Sequence, residues 1–227
     1  SKVIVDKDGD DEKIYLYEPV SKQIVTYNKN KLKEMLGRKV FWDDRLYTCD
    51  FVYNPEEPFR LRKAGKRWQF NQYIPPFWLE DVFNSGDISR LPKISSIPKL
   101  YGNFFMHLVN HDKDSYAYLV DWLANMLQGR NYCFLTTIGN QGIGKGVLGQ
   151  LMSELVGAEN FIKTGKRTLS KEFNGQLLNK KLIYLDEVKA TTDDHDNKIK
   201  ELVNDFIEVE QKGVDAKTVR NFASVYF

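Results

Sequence analysis

Residues 132–155 read YCFLTTIGNQGIGKGVLGQLMSEL, an apolar segment, a glycine-rich turn and an amphipathic stretch in immediate succession. This is the order of a strand, a loop and a helix. Gly139, Gly142 and Gly144 free the backbone to curl its N–H groups around phosphates, and Lys145 adds a positive charge for the terminal phosphates. We therefore predict a phosphate-binding loop at the N-terminus of a helix.

The spacing from Gly139 to Lys145 fits the GxxxxGK pattern, so ATP and Mg²⁺ are the expected cofactors. The pattern departs at Gly146, where a Ser or Thr hydroxyl usually binds magnesium. Either the metal relies on water and on an acid elsewhere, or the loop binds nucleotide without efficient turnover. The predicted nucleotide contacts cover the loop and the start of the helix: Gly139, Asn140, Gln141, Gly142, Ile143, Gly144, Lys145, Gly146 and Val147.

An acidic strand is predicted further along the chain. Residues 180–188 read KKLIYLDEV, whose apolar centre predicts a buried strand that ends at Asp186 and Glu187. Asp186 is expected to hold the magnesium ion, and Glu187 to orient or deprotonate the attacking water. The predicted catalytic residues are Lys145, Asp186 and Glu187, and the predicted fold is α/β with a P-loop core on a parallel sheet.

The composition is that of an ordinary globular protein, with 42% apolar and 28% charged residues. No apolar run approaches the roughly 20 residues that span a bilayer, so no membrane partner is expected. Cys49 and Cys133 lie far apart without a metal-ligand pattern and are expected to be reduced, buried thiols. The first residues, SKVIVDKDGDDEK, lack the features of a signal peptide, which favours a cytoplasmic location.

The net charge is only +2, so nucleic-acid binding has to rest on local clusters. Residues 60–67 are basic and precede Trp68 and Phe70, a mixture that either holds phosphates and stacks bases or forms a solvated hairpin. Residues 163–181 form a second basic cluster, for which ordinary wet surface is the alternative. His107 and His111 lie four apart without a third metal ligand and are expected to be a surface or packing pair.

The sequence predicts three parts. Residues 1–95 form a small α+β accessory module of short strands that ends in a linker, SGDISRLPKISSIPK, rich in Ser, Pro and Gly. Residues 96–130 form a helical segment, in which LYGNFFMHLVNH and SYAYLVDWLANMLQ place apolar residues at helical spacing with Trp122 and Leu123 inward. Residues 131–227 form the P-loop core.

Four segments resemble the superfamily-three helicases, in particular the primase-helicase proteins of phages, plasmids and large DNA viruses. They read DWLANMLQ, IGNQGIGKG, FNGQLLNKKLIYLDEV and IEVEQKGVDAKTVRNFASVYF, and the resemblance covers residues 100–227. It implies an AAA+-like core that assembles as a hexameric ring. The glycine that follows Lys145, Gly146, is similar to the residue found at this position in this branch of the family.

The same resemblance implies a DNA-contacting hairpin. IEVEQKGVDAKTV is similar to the family's hairpin in the central channel, with Lys212 and Gly213 at the DNA-contacting turn. A cation at a hairpin tip suits a phosphate backbone. In the family, a sensor Asn and an arginine finger follow the strand that resembles NFASVYF, so we expect this chain to be a fragment of a longer protein, with further motor elements and a primase domain as candidates for the rest.

The expected function is that of an ATP-dependent replicative DNA helicase that moves on single-stranded DNA as a homo-hexamer. Two alternatives stay open. One is an ATPase switch or loader that acts on other replication proteins. The other is a nucleotide-gated DNA-binding module without turnover, which Gly146 makes conceivable.

Overall fold

The structure is a computed structural model, in which the chain divides into two compact units, Ser1–Ile74 and Pro75–Phe227. The predicted linker lies partly outside the described residues. The boundaries predicted at residues 95 and 130 stay predictions. The structure describes residues 3–7, 13–18, 23–28, 30, 46–57, 59–85, 87, 89, 97–165, 175–186, 199–211 and 214–227.

The described part of the first unit is a mixed sheet in the order β3-β2-β1-β4-β6-β5. β4 runs parallel to both of its neighbours, β1 and β6, and the other neighbouring strands pair antiparallel. Cys49 and Phe70 are fully buried against aromatic neighbours, which gives the sheet an apolar face. The strands are β1 (Val3–Lys7), β2 (Lys13–Glu18), β3 (Gln23–Asn28), β4 (Leu46–Val52), β5 (Leu61–Ala64) and β6 (Arg67–Asn71).

The basic cluster at residues 60–67 lies on the β5–β6 hairpin, and its arginines have partners within the unit. Arg60 donates to the carbonyls of Asn71 and Tyr73 at 2.7 and 2.8 Å. Arg62 pairs with Glu57, and Arg67 lies 3.1 Å from Asp50. Because Phe70 is buried in the sheet, it is not available to stack a base. Arg60 therefore has a structural role, whereas the ion pairs of Arg62 and Arg67 are partly exposed.

The second unit begins with helices that pack on one another. Trp122, Leu123 and Met126 are buried on the inner face of α3, as the apolar spacing predicts, and Asp112 caps its first turn by accepting a hydrogen bond from Ser115 N at 2.8 Å. The helices are α1 (Glu80–Ser85), after a 3₁₀ turn at Phe77–Leu79, α2 (Lys99–Leu108), α3 (Lys113–Gln128) and α4 (Lys145–Val156).

A small parallel sheet lies beneath these helices and makes the unit a mixed α/β fold. Its described strands are ordered β11-β8-β7, and Leu135 adds a parallel bridge to Tyr226 on the outer side of β11. The predicted strand before the loop is thus reduced to a short pairing, in which Leu135 N donates to Val225 O at 3.0 Å and Thr137 N to Phe227 O at 3.0 Å. β8 is buried along its whole length, as predicted. The strands are β7 (Phe161–Thr164), β8 (Leu182–Leu185) and β11 (Ser224–Tyr226).

An antiparallel hairpin precedes β11. It consists of β9 (Phe206–Gln211) and β10 (Val214–Arg220), and the register pairs Val214 with Gln211. These strands flank the predicted Lys-Gly turn, although Lys212 and Gly213 themselves lie outside the described residues.

Two side chains differ from the expectations. Cys133 is exposed rather than buried, because it lies in the irregular segment ahead of Leu135, whereas Cys49 is buried. Lys181, expected in a surface cluster, is only 2% exposed, and its ammonium donates to Gly129 O at 2.8 Å, at the C-terminus of α3, where the helix dipole favours a cation. Across the described residues, we find no helix with the length and apolarity needed to cross a membrane.

Candidate functional site

The glycine-rich loop ends in a backbone conformation that only glycine adopts easily. Gly144 has φ 106° and forms the N-cap of α4, which begins at Lys145. A Cβ added to Gly144 would also lie 2.9 Å from the Phe104 ring of α2. Any larger residue here would be strained and would clash, so the sequence at this position fixes the entry of the chain into α4.

The loop presents positive charge. No side chain in the described part of the chain caps the start of α4, so its first backbone N–H groups and the positive end of the helix dipole face the loop. The ammonium of Lys145 folds back over the loop and donates to Gly139 O at 2.6 Å and Asn140 O at 2.9 Å. This arrangement suits an anion, because donors and a cation converge where the loop curls.

The loop side of α4 is tied to the end of β11 by Tyr226. Its hydroxyl donates to Lys145 O at 3.1 Å and lies 2.8 Å from Thr137 Oγ1. Burial raises the pKa of Tyr226, the hydrogen bond with Thr137 lowers it, and the nearby Asp186 charge raises it, so the phenol stays protonated and able to donate. Tyr226 therefore fixes the first turn of α4 relative to the sheet.

Asp186 reaches the same end of the sheet through a second tyrosine. The Tyr184 ring stacks on Tyr226 with centroids 4.7 Å apart, and its hydroxyl donates to Asp186 Oδ1 at 3.2 Å. Gly149 permits this packing, since a Cβ there would lie 2.8 Å from the Tyr184 ring. Helix, loop and acidic strand thus meet through Lys145, Tyr226, Tyr184 and Asp186.

A lysine from the neighbouring strand lies at Asp186. Parallel pairing of β7 with β8 sets Lys163 beside Tyr184, and the Lys163 ammonium lies 2.6 Å from Asp186 Oδ2. Both side chains are partly exposed, at 53% and 37%. The ammonium also lies 5.2 Å from the Tyr184 ring centroid.

The Asp186 side chain fits a magnesium ion. Carboxylate oxygens are the ligands that Mg²⁺ prefers, and a metal at this carboxylate would have to displace the Lys163 ammonium from Oδ2. Gly146 contributes no hydroxyl, although the space where its side chain would stand is open, with no atom within 4 Å of an added Cβ. Asp186 is the described residue that would hold the metal.

The predicted site residues fall into two groups. The loop, Lys145 and Asp186 come together as described above. Glu187, Lys212 and Gly213 lie outside the described residues, so their roles stay predictions.

Three residues of this site were missed in their roles by sequence reasoning. Lys163 was expected in a basic cluster, and Tyr184 and Tyr226 were placed in predicted strands without a role of their own. The sequence contained a signal for Lys163 and Tyr184, because the carboxyl ends of parallel strands lie at the same edge of a sheet. The segments FIKT and LIYLD both end at that edge.

The base of the β9–β10 hairpin is held by Arg130, whose side chain is only 4% exposed. Its guanidinium donates to Ala223 O at 3.1 Å, at the start of β11, and to Asn204 O at 2.7 Å, just before β9. It also lies 3.4 Å from Asp205. Asn221 adds a bond from its amide to Leu202 O at 2.7 Å. Hairpin and sheet are therefore joined by hydrogen bonds from two side chains, of which the Asn221–Leu202 bond is buried and the Arg130–Ala223 bond is partly buried.

A family profile described as a family of unknown function (DUF5906) matches residues 137–227. This range contains the loop, Asp186 and the hairpin. It is less than half of the chain.

The chain is homologous to the DNA primase-polymerase of Nitratiruptor phage NrS-1, with 25% identity over 141 residues, which are 61% of this chain and 18% of that protein. Two apo structures of the NrS-1 C-terminal region share the fold. Each superposes with a TM-score of 0.77 at 19% identity over 98% of this chain, and the matched part is 52% of one solved chain and 53% of the other. The chain thus spans about half the length of those structures.

Proposed function

We propose that this chain is the ATP-binding core of a phage DNA-replication protein, a helicase that moves on single-stranded DNA as a hexameric ring in the host cytoplasm. The observation that carries the proposal is the contact path from Lys145 through Tyr226 and Tyr184 to Asp186. It brings a glycine-rich loop and an acidic strand end together at one edge of a parallel sheet, where ligands of such sheets bind. The homology to a phage DNA primase-polymerase supports the setting in replication.

The proposed roles follow from the positions of the groups. The N–H groups at the start of α4 and the Lys145 ammonium bind the phosphates, and this requires Lys145 to leave the carbonyls of Gly139 and Asn140. Asp186 holds Mg²⁺, which when bound neutralises charge on the phosphates. Glu187, next in the chain, orients the attacking water. Lys212, which lies between β9 and β10 in the sequence, contacts the DNA backbone.

The test is ATP turnover by the natural protein that contains these residues, with and without single-stranded DNA. We expect DNA to stimulate turnover, and Lys145→Ala to reduce it by about 100-fold or more, because the phosphoryl charge loses its cation. Lys113→Ala, an exposed lysine at the start of α3, is the matched control and should behave as the unaltered protein. An ATP turnover rate that is changed neither by single-stranded DNA nor by Lys145→Ala would contradict the proposal.

Gly146 supports a second candidate, a nucleotide-gated DNA-binding switch. The loop has the donors to bind phosphates but lacks the usual metal-binding hydroxyl. A switch of this kind binds ATP and alters DNA affinity without hydrolysis. Tight ATP binding with no turnover in the presence of DNA would favour it over the helicase, and strand displacement would distinguish the helicase from an ATPase that loads other replication proteins.

A further inference from the structure

An apolar groove of about 420 Å³ runs between α2 and α4. Its walls carry side chains that are unusually exposed for their type: Leu100 is 76% exposed, Val147 58% and Tyr101 43%. Scattered single apolar residues on a surface are ordinary, whereas a contiguous exposed set marks a binding site. The groove is lined by Leu100, Tyr101, Phe104, Val147, Gln150, Leu151 and Glu154.

The groove is continuous with the phosphate loop. Phe104 lines the groove and also packs on Gly144, where an added Cβ would lie 2.9 Å from its ring. Val147 is two residues beyond Lys145 on the first turn of α4, and Leu151 follows one turn later on the same face. A ligand whose phosphates lie in the loop therefore has apolar surface directly beside it.

We propose that this groove binds the base and ribose of the nucleoside triphosphate whose phosphates occupy the loop. The inference rests on the proposed nucleotide site and adds the part of the substrate that the loop motif leaves unassigned. Only one ribose separates a base from its phosphates, so the base has to lie close to the start of α4. The flat, weakly polar face of a base suits the aromatic rings of Tyr101 and Phe104 and the aliphatic walls at Val147 and Leu151.

The size and chemistry of the groove fit this occupant. Small-molecule sites have volumes of roughly 300–1,000 Å³ and apolar walls with a few polar groups that fix orientation. The lining is almost wholly apolar, so Gln150 and Glu154 contribute mainly the aliphatic parts of their side chains, and the groove suits the face of a base rather than its polar edge.

The experiment compares the affinities of the full chain for ATP and for inorganic tripolyphosphate, both with Mg²⁺, by calorimetry. Tripolyphosphate reports the loop alone, whereas ATP reports the loop and the groove. We expect the unaltered chain to bind ATP at least about fivefold more tightly, from base stacking and apolar contact. Leu100→Asn and Tyr101→Asn should reduce this preference while leaving the tripolyphosphate affinity in place, because both lie on α2, away from the loop, and neither changes the charge.

Phe77→Asn is the matched control, because Phe77 is 79% exposed and does not line the groove. It should keep the full preference for ATP. Equal affinities of the unaltered chain for ATP and tripolyphosphate would overturn the groove assignment alone. Binding of neither ligand would overturn the phosphate site and the groove with it. Groove substitutions that alter the association state in light scattering, but not the preference for ATP, would overturn the assignment and identify the groove as an interface between copies.

Discussion

At the scale of single residues, the site is held together by contacts that place charges against one another. Lys163 and Asp186 form an ion pair at 2.6 Å, and Lys145 is turned onto carbonyls of its own loop. Lys163 lies against the Asp186 carboxylate, where the proposed Mg²⁺ would bind. Lys145 bonds to the loop carbonyls instead of to the proposed phosphates. Ligand binding therefore has to displace these internal contacts, which makes their removal a sensitive test.

Lys163→Gln is expected to raise the affinity of the nucleotide-free chain for Mn²⁺, by about two- to fivefold. The ammonium competes with the metal for Asp186, and the effect is modest because both side chains are partly exposed. Electron paramagnetic resonance of free Mn²⁺ measures the affinity, and Lys163→Arg, which keeps the charge, should leave it unchanged. A lower affinity in the Gln variant would mean that Lys163 supports the metal site rather than competing with it.

Gly144 and Gly146 lie two residues apart and should respond in opposite directions to alanine. Gly144→Ala forces a side chain into φ 106° and against Phe104, so we expect a loss of about 1–3 kcal/mol in the free energy of unfolding. Gly146→Ala meets open space on a helix and should stabilise by about 0.5–1 kcal/mol. Urea denaturation of both variants provides the comparison. Similar losses in the two would contradict the geometry described for the loop.

Elements are coupled at the base of the hairpin, where one buried arginine holds the ends of two strands. Arg130 donates to Asn204 O before β9 and to Ala223 O before β11. The hairpin was expected from the family resemblance, with which the Lys-Gly turn between two strand-like segments agreed. Sequence reasoning did not anticipate this anchor, because Arg130 lies far from the hairpin in sequence and its role depends on tertiary packing.

Arg130→Gln is expected to lower the free energy of unfolding by about 1–2 kcal/mol, since it leaves the carbonyl of buried Ala223 without its charged donor. Amide exchange of β9 and β10 should accelerate more than that of β8. Lys217→Gln, at an exposed position on β10, is the control and should change neither quantity by more than about 0.5 kcal/mol. Uniform acceleration across all strands would show that Arg130 stabilises the unit without a particular role at the hairpin.

At the scale of the whole molecule, the mixed α/β fold with its parallel sheet and helices was predictable from periodicity. The apolar face of α3 follows from its helical spacing, whereas the run in β8 was assigned as a strand because it is short and is bounded by charged residues. The strand predicted before the loop is shorter than expected and is reduced to a bridge at Leu135. An apolar run does not reveal how many backbone hydrogen bonds the neighbouring strand can form with it. The meeting of Lys163 with Asp186 required the register of two strands, which residue types alone do not specify.

MgATP should stabilise the second unit if the proposed site is real. At a concentration one hundred times the Kd, linkage predicts about 2.7 kcal/mol of additional free energy of unfolding. Amide exchange of β8 and β11 in the presence and absence of MgATP measures the change, and Lys145→Ala should abolish it. Unchanged protection at saturating nucleotide would rule out binding to the folded unit.

Three residues join β10 to β11, and Asn221 turns the chain there by accepting a hydrogen bond from Ala223 N at 3.0 Å. Both sides of this corner are held, because Arg130 donates to Ala223 O and the Asn221 amide donates to Leu202 O. The hairpin therefore leaves the parallel sheet at a fixed angle. A change in the direction of the hairpin would be carried through this corner into β11, whose Tyr226 hydroxyl donates to Lys145 O.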